Sequence, residues 1–209
     1  MATDETLAAI AAEIEACQQC ELFRAARLGV SGTGNPHAEV MLIGEAPSGY
    51  DDRTGAPFSG PTGGFLDELL ALAGLRRAET YLTNVVKHRT PEARSPLPSE
   101  IAACAPYLTR QIAAVRPILI VTLGRFAAAR FFRGASMTAL HGQAKRVEGR
   151  VVLAMYNPAA GLHREELRQV IVDDFTRALP AALSEARRLA ASGQADGDGD
   201  APPQQLSLF

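Results

Sequence analysis

Short apolar stretches alternate with helical patterns along the chain, and this alternation constrains the fold more than any other feature of the sequence. Four stretches have the length and apolar content of buried strands, at 39–44, 80–86, 118–124 and 151–157. Patterns typical of helices occupy 3–19, 63–75, 98–115, 125–132 and 164–191, the last with a break near Pro180. Because strands separated by helices pair in parallel, we predict an α/β fold whose mostly parallel sheet carries helices on both faces.

Length and composition favour one soluble domain with a tail. The 209 residues are 47% hydrophobic, which is enough for one core. The C-terminal stretch is rich in Gly, Asp and Pro, so we expect a folded domain over 1–191 and a disordered tail over 192–209. No apolar run reaches the roughly 18 residues of a membrane span, and no leader pattern opens the chain. We therefore expect a cytoplasmic protein without a membrane partner, and a monomer.

Three loops follow predicted strands and carry most of the chemically active side chains. In parallel sheets, ligands bind beyond the carboxyl ends of the strands. The first loop begins with Glu45, contains Asp51 and Asp52, and places Phe58 among glycines and prolines, which favours an aromatic plate for a flat ligand. The second loop begins at Asn84, whose amide offers a hydrogen-bond donor and an acceptor side by side and so matches the edge of a nucleobase.

Cysteines form the second unusual pattern. Cys17 and Cys20 make a Cys-x-x-Cys pair, and Cys104 is the third cysteine of the chain. A closed metal or cluster site needs four ligands. Either the site is incomplete, or a residue other than cysteine supplies the fourth bond.

These elements, in their order and spacing, resemble the family 4 uracil-DNA glycosylases. The resemblance rests on GEAPSGYDDRTGAPFSGPTGGFLDELL, TYLTNVVKHR, the Cys-x-x-Cys pair and Cys104, and it covers residues 10 to about 185. It implies a three-layer α/β/α sandwich around a four-stranded, mostly parallel sheet, and a [4Fe–4S] cluster. It also implies a base excision repair enzyme that flips uracil out of DNA and hydrolyses its N-glycosidic bond.

The resemblance assigns roles in a uracil pocket. Phe58 would stack on the flipped base, and Asn84 would donate to uracil O4 and accept from N3–H. In the third loop this chain has Asn157-Pro158 where the family usually has His-Pro, and the Asn157 amide can still donate to uracil O2; without that role, Asn-Pro is a common turn. Glu45 is the first candidate for positioning the attacking water and Asp52 the second. Residues expected to line the pocket are Gly44, Glu45, Ser48, Phe58, Asn84 and Asn157.

His88 occupies the position of the family's third cluster ligand. The resemblance therefore implies Cys17, Cys20, His88 and Cys104 as the ligand set. An imidazole can replace a thiolate at iron, although zinc accepts the same donors. The alternative is a His88 that faces DNA or solvent, with an incomplete metal site.

A DNA-contacting side is expected around the second and third loops. Leu162 would act as the apolar wedge that fills the space left by the flipped base, or else as a small core anchor. Further DNA contacts are predicted from His163, Arg89 and Arg164, and a wider basic face from Lys87, Arg94, Lys145 and Arg146. Relatives that cross-link to DNA carry an inserted basic loop with a histidine, which the short stretch 89–99 lacks, so we expect turnover.

The chain ends in a short apolar motif, QLSLF. It resembles the peptide by which bacterial polymerases and repair proteins bind the DNA sliding clamp, and its residues are Gln205, Leu206, Ser207, Leu208 and Phe209. Two other functions stay open: a uracil-DNA binding protein with little or no turnover, and a Mg²⁺-dependent nucleotide hydrolase. The second lacks the phosphate-binding loop that it would need.

Overall fold

A mixed sheet of seven strands forms the centre of the protein. The computed structural model describes residues 6–132, 134 and 136–192, together with the backbone of 205–206. The strand order is β1-β3-β2-β4-β6-β5-β7. The strands are β1 (Thr33–Gly34), β2 (Val40–Gly44), β3 (Thr80–Asn84), β4 (Leu119–Leu123), β5 (Ala144–Val147), β6 (Arg150–Met155) and β7 (Gln205–Leu206).

The four predicted strands are the parallel centre of this sheet. β3, β2, β4 and β6 pair in parallel, which confirms the α/β class. The sheet exceeds the expected four strands because β1, β5 and β7 add antiparallel pairs at the edges. Those edge strands are short, and β5 carries Lys145 and Arg146, so none of them has the apolar pattern that identifies a buried strand.

Helices cover both faces of the sheet. They are α1 (Leu7–Glu15), α2 (Leu22–Ala25), α3 (Gly49–Thr54), α4 (Pro61–Leu72), α5 (Pro98–Val115), α6 (Arg125–Ala129), α7 (Met137–Leu140), α8 (Pro158–His163), α9 (Glu165–Asp173) and α10 (Leu179–Ala191). Alternate residues of each central strand point to opposite faces. Leu42 and Val121 pack with the layer of α4, α9 and α10, whereas Ile43 and Ile120 pack with that of α2, α5 and α6.

Several helix boundaries differ from the sequence-based prediction, and two of the differences concern residues singled out above. α1 ends at Glu15, so the Cys-x-x-Cys pair lies in the turn between α1 and α2. Near Pro180 the helix changes type: a π-helical turn over Asp174–Ala178 precedes α10, and Pro180, which has no N–H to donate, is the second residue of α10. None of the helices within the described ranges is long and apolar enough to cross a membrane.

Candidate active site

A cavity of about 580 Å³ opens beyond the carboxyl ends of the central strands. It gathers side chains from all three loops that the sequence singles out. The predicted site residues in its wall are Ser48, Phe58, Asn84, Asn157, Leu162 and His163. Ser48 also begins α3, because its hydroxyl accepts from the backbone N–H of Asp51.

Phe58 lies in the cavity wall on a strained backbone. Its φ of 54° is left-handed, a conformation that is uncommon for a residue other than glycine. The Arg77 guanidinium holds this turn by donating to the carbonyls of Phe58 and Gly63, at 3.1 Å each. Strain of this kind persists where surrounding contacts over-determine the conformation, and it concentrates at ligand sites.

Gly44 allows the two predicted uracil-contacting side chains to approach each other. A Cβ at this position would lie 2.3 Å from Asn84 Oδ1 and 2.7 Å from Phe58 Cζ. Both distances are far below van der Waals contact. The lack of a side chain at Gly44 therefore leaves room for Asn84 and Phe58, although Gly44 itself does not line the cavity.

Asn84 ends β3 and is almost fully buried, with 2% of its surface exposed. Within the described ranges its side-chain amide forms no hydrogen bond, and it lines the cavity. Its donor and its acceptor are thus both available to a ligand. The backbone carbonyl, in contrast, accepts a hydrogen bond of 2.6 Å from Lys87 Nζ.

Asn157 is both a turn-former and a pocket residue. Its Oδ1 accepts from the backbone N–H of Ala159 at 3.0 Å and caps α8, with Pro158 in the first turn. This cap fixes the side-chain orientation. The amide NH₂ is the group that remains to donate to a ligand.

The acids of the first loop have different surroundings. Glu45 is half-buried beside the cavity but not in its wall; burial raises the pKa of its carboxyl, and Arg125 opposes that shift. Asp52 Oδ1 accepts from the backbone N–H groups of Arg27 and Leu28, at 2.8 and 3.3 Å. Asp51 accepts from the backbone N–H groups of Ser48 and Ser59. The two aspartates hold loops together, which leaves Glu45 as the better candidate for work on a water molecule.

The expected DNA side is present in part. Leu162 is 37% exposed at the cavity mouth, so it is not a core anchor. His163 lies beside it, and Arg89 is partly exposed with a guanidinium nitrogen 3.9 Å from Asp52 Oδ2. Arg164 is exposed at the start of α9.

The wider basic face was predicted wrongly at Lys87, whereas Lys145 is half-buried. Lys87 is fully buried behind β3, and burial lowers its pKa to about 7. Lys145 donates to the Phe131 carbonyl and lies over the Phe132 ring. A lysine is expected on the surface from its residue type, because a buried ammonium needs hydrogen-bond acceptors. Only the fold shows where such acceptors are present.

Tyr50 belongs to the site and was missed by the sequence-based prediction. It is half exposed at the cavity mouth, and the Arg53 guanidinium lies 4.7 Å from its ring centroid. Its ring also packs on Gly60, where a Cβ would be 2.6 Å from Tyr50 Cδ2. An aromatic residue in the same Gly-rich loop as Phe58 was the available signal.

The four predicted metal ligands come from three segments of the chain. Cys17 and Cys20 occupy the turn after α1, Cys104 lies on α5, and His88 follows β3. Burial raises the pKa of Cys104 to about 11, and the Cys20 and Cys17 thiols contribute to that rise. His88 is only 5% exposed, which excludes a solvent-facing histidine, and burial lowers its pKa. The donor types suit an iron–sulfur cluster or zinc. Among the described side chains, however, no group of three or more His, Cys, Asp or Glu is arranged to hold a metal ion.

Fold and cavity together define a class: an α/β protein with a ligand pocket built beyond the carboxyl ends of a parallel sheet. Comparison with known proteins agrees with this class. The model of the uracil DNA glycosylase superfamily matches residues 31–179.

Curated relatives cover most of the chain. A type-4 uracil-DNA glycosylase of Archaeoglobus fulgidus is 42% identical over 83% of this chain and 92% of its own length. A type-4 uracil-DNA glycosylase of Saccharolobus solfataricus is 39% identical over 86% and 88%, and one of Thermotoga maritima is 35% identical over 85% and 96%. The chain therefore belongs to the type-4 uracil-DNA glycosylases of this superfamily.

Proposed function

We propose that this chain is a monofunctional uracil-DNA glycosylase that starts base excision repair in the cytoplasm. One observation carries the proposal: the cavity brings Phe58, Asn84 and Asn157 into a single wall, with both functions of the Asn84 amide unused. A stacking ring and two amides satisfy the flat face, the N3–O4 edge and the O2 atom of uracil.

Base flipping delivers uracil to this cavity, at a cost of a few kcal/mol for unstacking and unpairing. Phe58 stacks on the flipped base. The Asn84 amide donates to O4 and accepts from N3–H, whereas cytosine presents a donor at N4 and an acceptor at N3. A fixed Asn84 orientation therefore selects uracil.

Bond cleavage leaves negative charge on uracil. The bond between C1′ and N1 breaks, its electron pair leaves with the base, and the Asn157 NH₂ donates to O2 as charge develops there. A water molecule adds to C1′ and gives up its proton to Glu45. The uracil anion takes up a proton after it leaves, so the products are free uracil and an abasic site.

A nicking assay tests this function. A labelled oligonucleotide with one uracil is incubated with the protein and EDTA, and then treated with alkali. Release of uracil and alkali-dependent strand cleavage are expected. Uracil-dependent binding without cleavage would favour the binding-protein alternative, and activity that EDTA abolishes would favour a metal-dependent hydrolase.

The surroundings of Glu45 predict how the rate of uracil excision changes at acidic pH. The water needs the carboxylate form as acceptor, and burial raises the Glu45 pKa above its ordinary 4.5. Single-turnover kcat should therefore fall as the pH drops through a pKa above 4.5. We expect Glu45→Gln to lower kcat by roughly 10²-fold and to remove this acidic limb. An unchanged limb in Glu45→Gln would assign it to another group.

Two exposed apolar side chains at the cavity mouth predict different strand preferences. Leu162 fills the space vacated in a duplex, which a single strand does not have. Tyr50 offers its face to a neighbouring base in either substrate, and such stacking is worth about 1–3 kcal/mol. Leu162→Ala should thus reduce excision mainly from duplex DNA, and Tyr50→Ala roughly tenfold from both. Tyr50→Phe is the matched control and should retain activity; a duplex-only loss in Tyr50→Ala would contradict the stacking role.

Phosphate contacts complete the proposed DNA interface. Arg89, Arg164 and His163 lie on the same loops, and the two arginines supply positive charge toward the DNA phosphates.

We further propose that Cys17, Cys20, His88 and Cys104 hold a [4Fe–4S] cluster. Support comes from the donor types and from the interacting thiols. Bound there, the cluster supplies a link between the turn after α1, α5 and the end of β3. Iron and acid-labile sulfide should be present in purified protein and should fall in His88→Ala; zinc in their place would overturn the cluster assignment.

The predicted clamp-binding peptide remains a proposal. Gln205 and Leu206 form a two-residue antiparallel strand on β5, and 207–209 lie outside the described residues. We propose that QLSLF binds the bacterial sliding clamp. Removal of 205–209 should abolish co-purification with a clamp while leaving uracil excision unchanged.

A further inference from the structure

Lys87 is a fully buried cation that the proposed chemistry does not use. Only 1% of its surface is exposed, and it is among the largest fully buried side chains in the described ranges. Burial of an ammonium is costly unless its donors are satisfied. The buried ammonium must therefore find hydrogen-bond acceptors inside the protein.

Three acceptors surround the Lys87 ammonium. Nζ donates to Thr83 Oγ1 at 2.8 Å, to the Asn84 carbonyl at 2.6 Å and to Gln111 Oε1 at 2.7 Å. The Thr83 hydroxyl donates in turn to the Ser31 carbonyl at 2.6 Å, so it is an acceptor toward lysine. An ammonium group has three N–H donors, one for each of these acceptors.

The network ties the end of β3 to the helix layer behind it. Gln111 lies on α5, and its Nε2 donates to the Ser31 carbonyl at 2.7 Å. On the outer side of β3, β1 pairs only with Tyr81 and Leu82 and stops short of Asn84. The Asn84 carbonyl thus lies beyond the neighbouring strand, and Lys87 supplies the donor there.

We propose that Lys87 is a positioning residue for uracil recognition: its buried ammonium, held by Thr83 and Gln111, fixes the Asn84 backbone and so the orientation of the Asn84 amide in the pocket. The inference rests on the proposed function. It assigns selectivity for uracil partly to a residue that never touches the base.

A double-mutant cycle tests the coupling. Lys87→Met keeps a side chain of similar length and removes its hydrogen-bond donors. It should lower single-turnover kcat on uracil by about 10- to 100-fold, the effect expected when a catalytic group is slightly misplaced. If Lys87 acts through Asn84, Lys87→Met adds little in an Asn84→Ala background. Dissociation constants for abasic DNA should stay unchanged.

Gln111→Met provides a second cycle that keeps the lysine and removes one acceptor. We expect a smaller loss of kcat with the same non-additivity against Asn84→Ala, and this cycle decides if Lys87→Met fails to fold. Additive losses in the available cycle, or full activity of Lys87→Met, would overturn the proposal. Failure of the proposed function is distinguishable, because wild-type protein would then release no uracil.

Discussion

Replacement of Asn84 by leucine, which has nearly the same volume, lowers kcat/KM for uracil excision by about 10³-fold. A site built to hydrogen-bond its substrate loses several orders of magnitude when that pairing is removed. The amide has no structural hydrogen bond to lose among the described residues, so thermal stability should change little. The measurement is single-turnover excision together with a melting temperature.

Asn84→Asp is the informative companion variant. A carboxylate keeps an acceptor for N3–H but replaces the donor to O4 with a second acceptor. The loss in the rate of uracil excision should remain large. The ratio of the uracil excision rate to the cytosine excision rate should fall, because cytosine offers an N4–H donor to the carboxylate. Retention of wild-type selectivity in Asn84→Asp would show that another group recognises O4.

Replacement of Asn157 by aspartate should separate catalysis from folding. The carboxylate can still accept from Ala159 N–H and cap α8, so stability is retained. It has no NH₂ for uracil O2, and its charge opposes the anion that forms there. We expect a loss in kcat of about 10²- to 10³-fold, the effect of removing one donor from an anion-stabilising site.

Asn157→Ala is the matched control for the cap. It removes both the donor to uracil O2 and the cap of α8. The loss in kcat should therefore equal that of Asn157→Asp, and the fold should also be destabilised by about 1 kcal/mol. Melting temperatures and single-turnover rates of the two variants give the comparison. Near-normal rates in Asn157→Asp would mean that another group holds O2.

Local pattern was enough for the central architecture. The strands at 40–44, 119–123 and 151–155 are buried and almost entirely apolar, so each can be identified without a partner. The strand at 80–84 is also buried, although it contains Thr80, Thr83 and Asn84. The loops after three of them were recognisable for the same reason, because polar and aromatic residues directly follow buried strands. Phe58, Asn84 and Asn157 were selected on that basis, and the fold brings them together.

Long-range contacts decided what local pattern could not. Asp52 and Glu45 are equivalent carboxylates in sequence, yet Asp52 is engaged by backbone N–H groups of Arg27 and Leu28, 25 and 24 positions away. The exposure of Tyr50 depends on the Arg53 and Gly60 contacts that hold its ring.

Lys87 shows most clearly how sequence-based expectation and tertiary structure differ. By residue type, a lysine in a loop after a strand is expected on the surface, and the sequence shows only that it follows Asn84 by three positions. Its burial became possible when Gln111, 24 positions along the chain on α5, approached it with an acceptor. Local sequence pattern identified the four central strands, the loops that follow three of them and the pocket residues Phe58, Asn84 and Asn157, because apolar runs and turn residues act locally. Which charges are buried, and which acid is not engaged by backbone N–H groups, follows from the tertiary fold, because these outcomes depend on partners far apart in the chain.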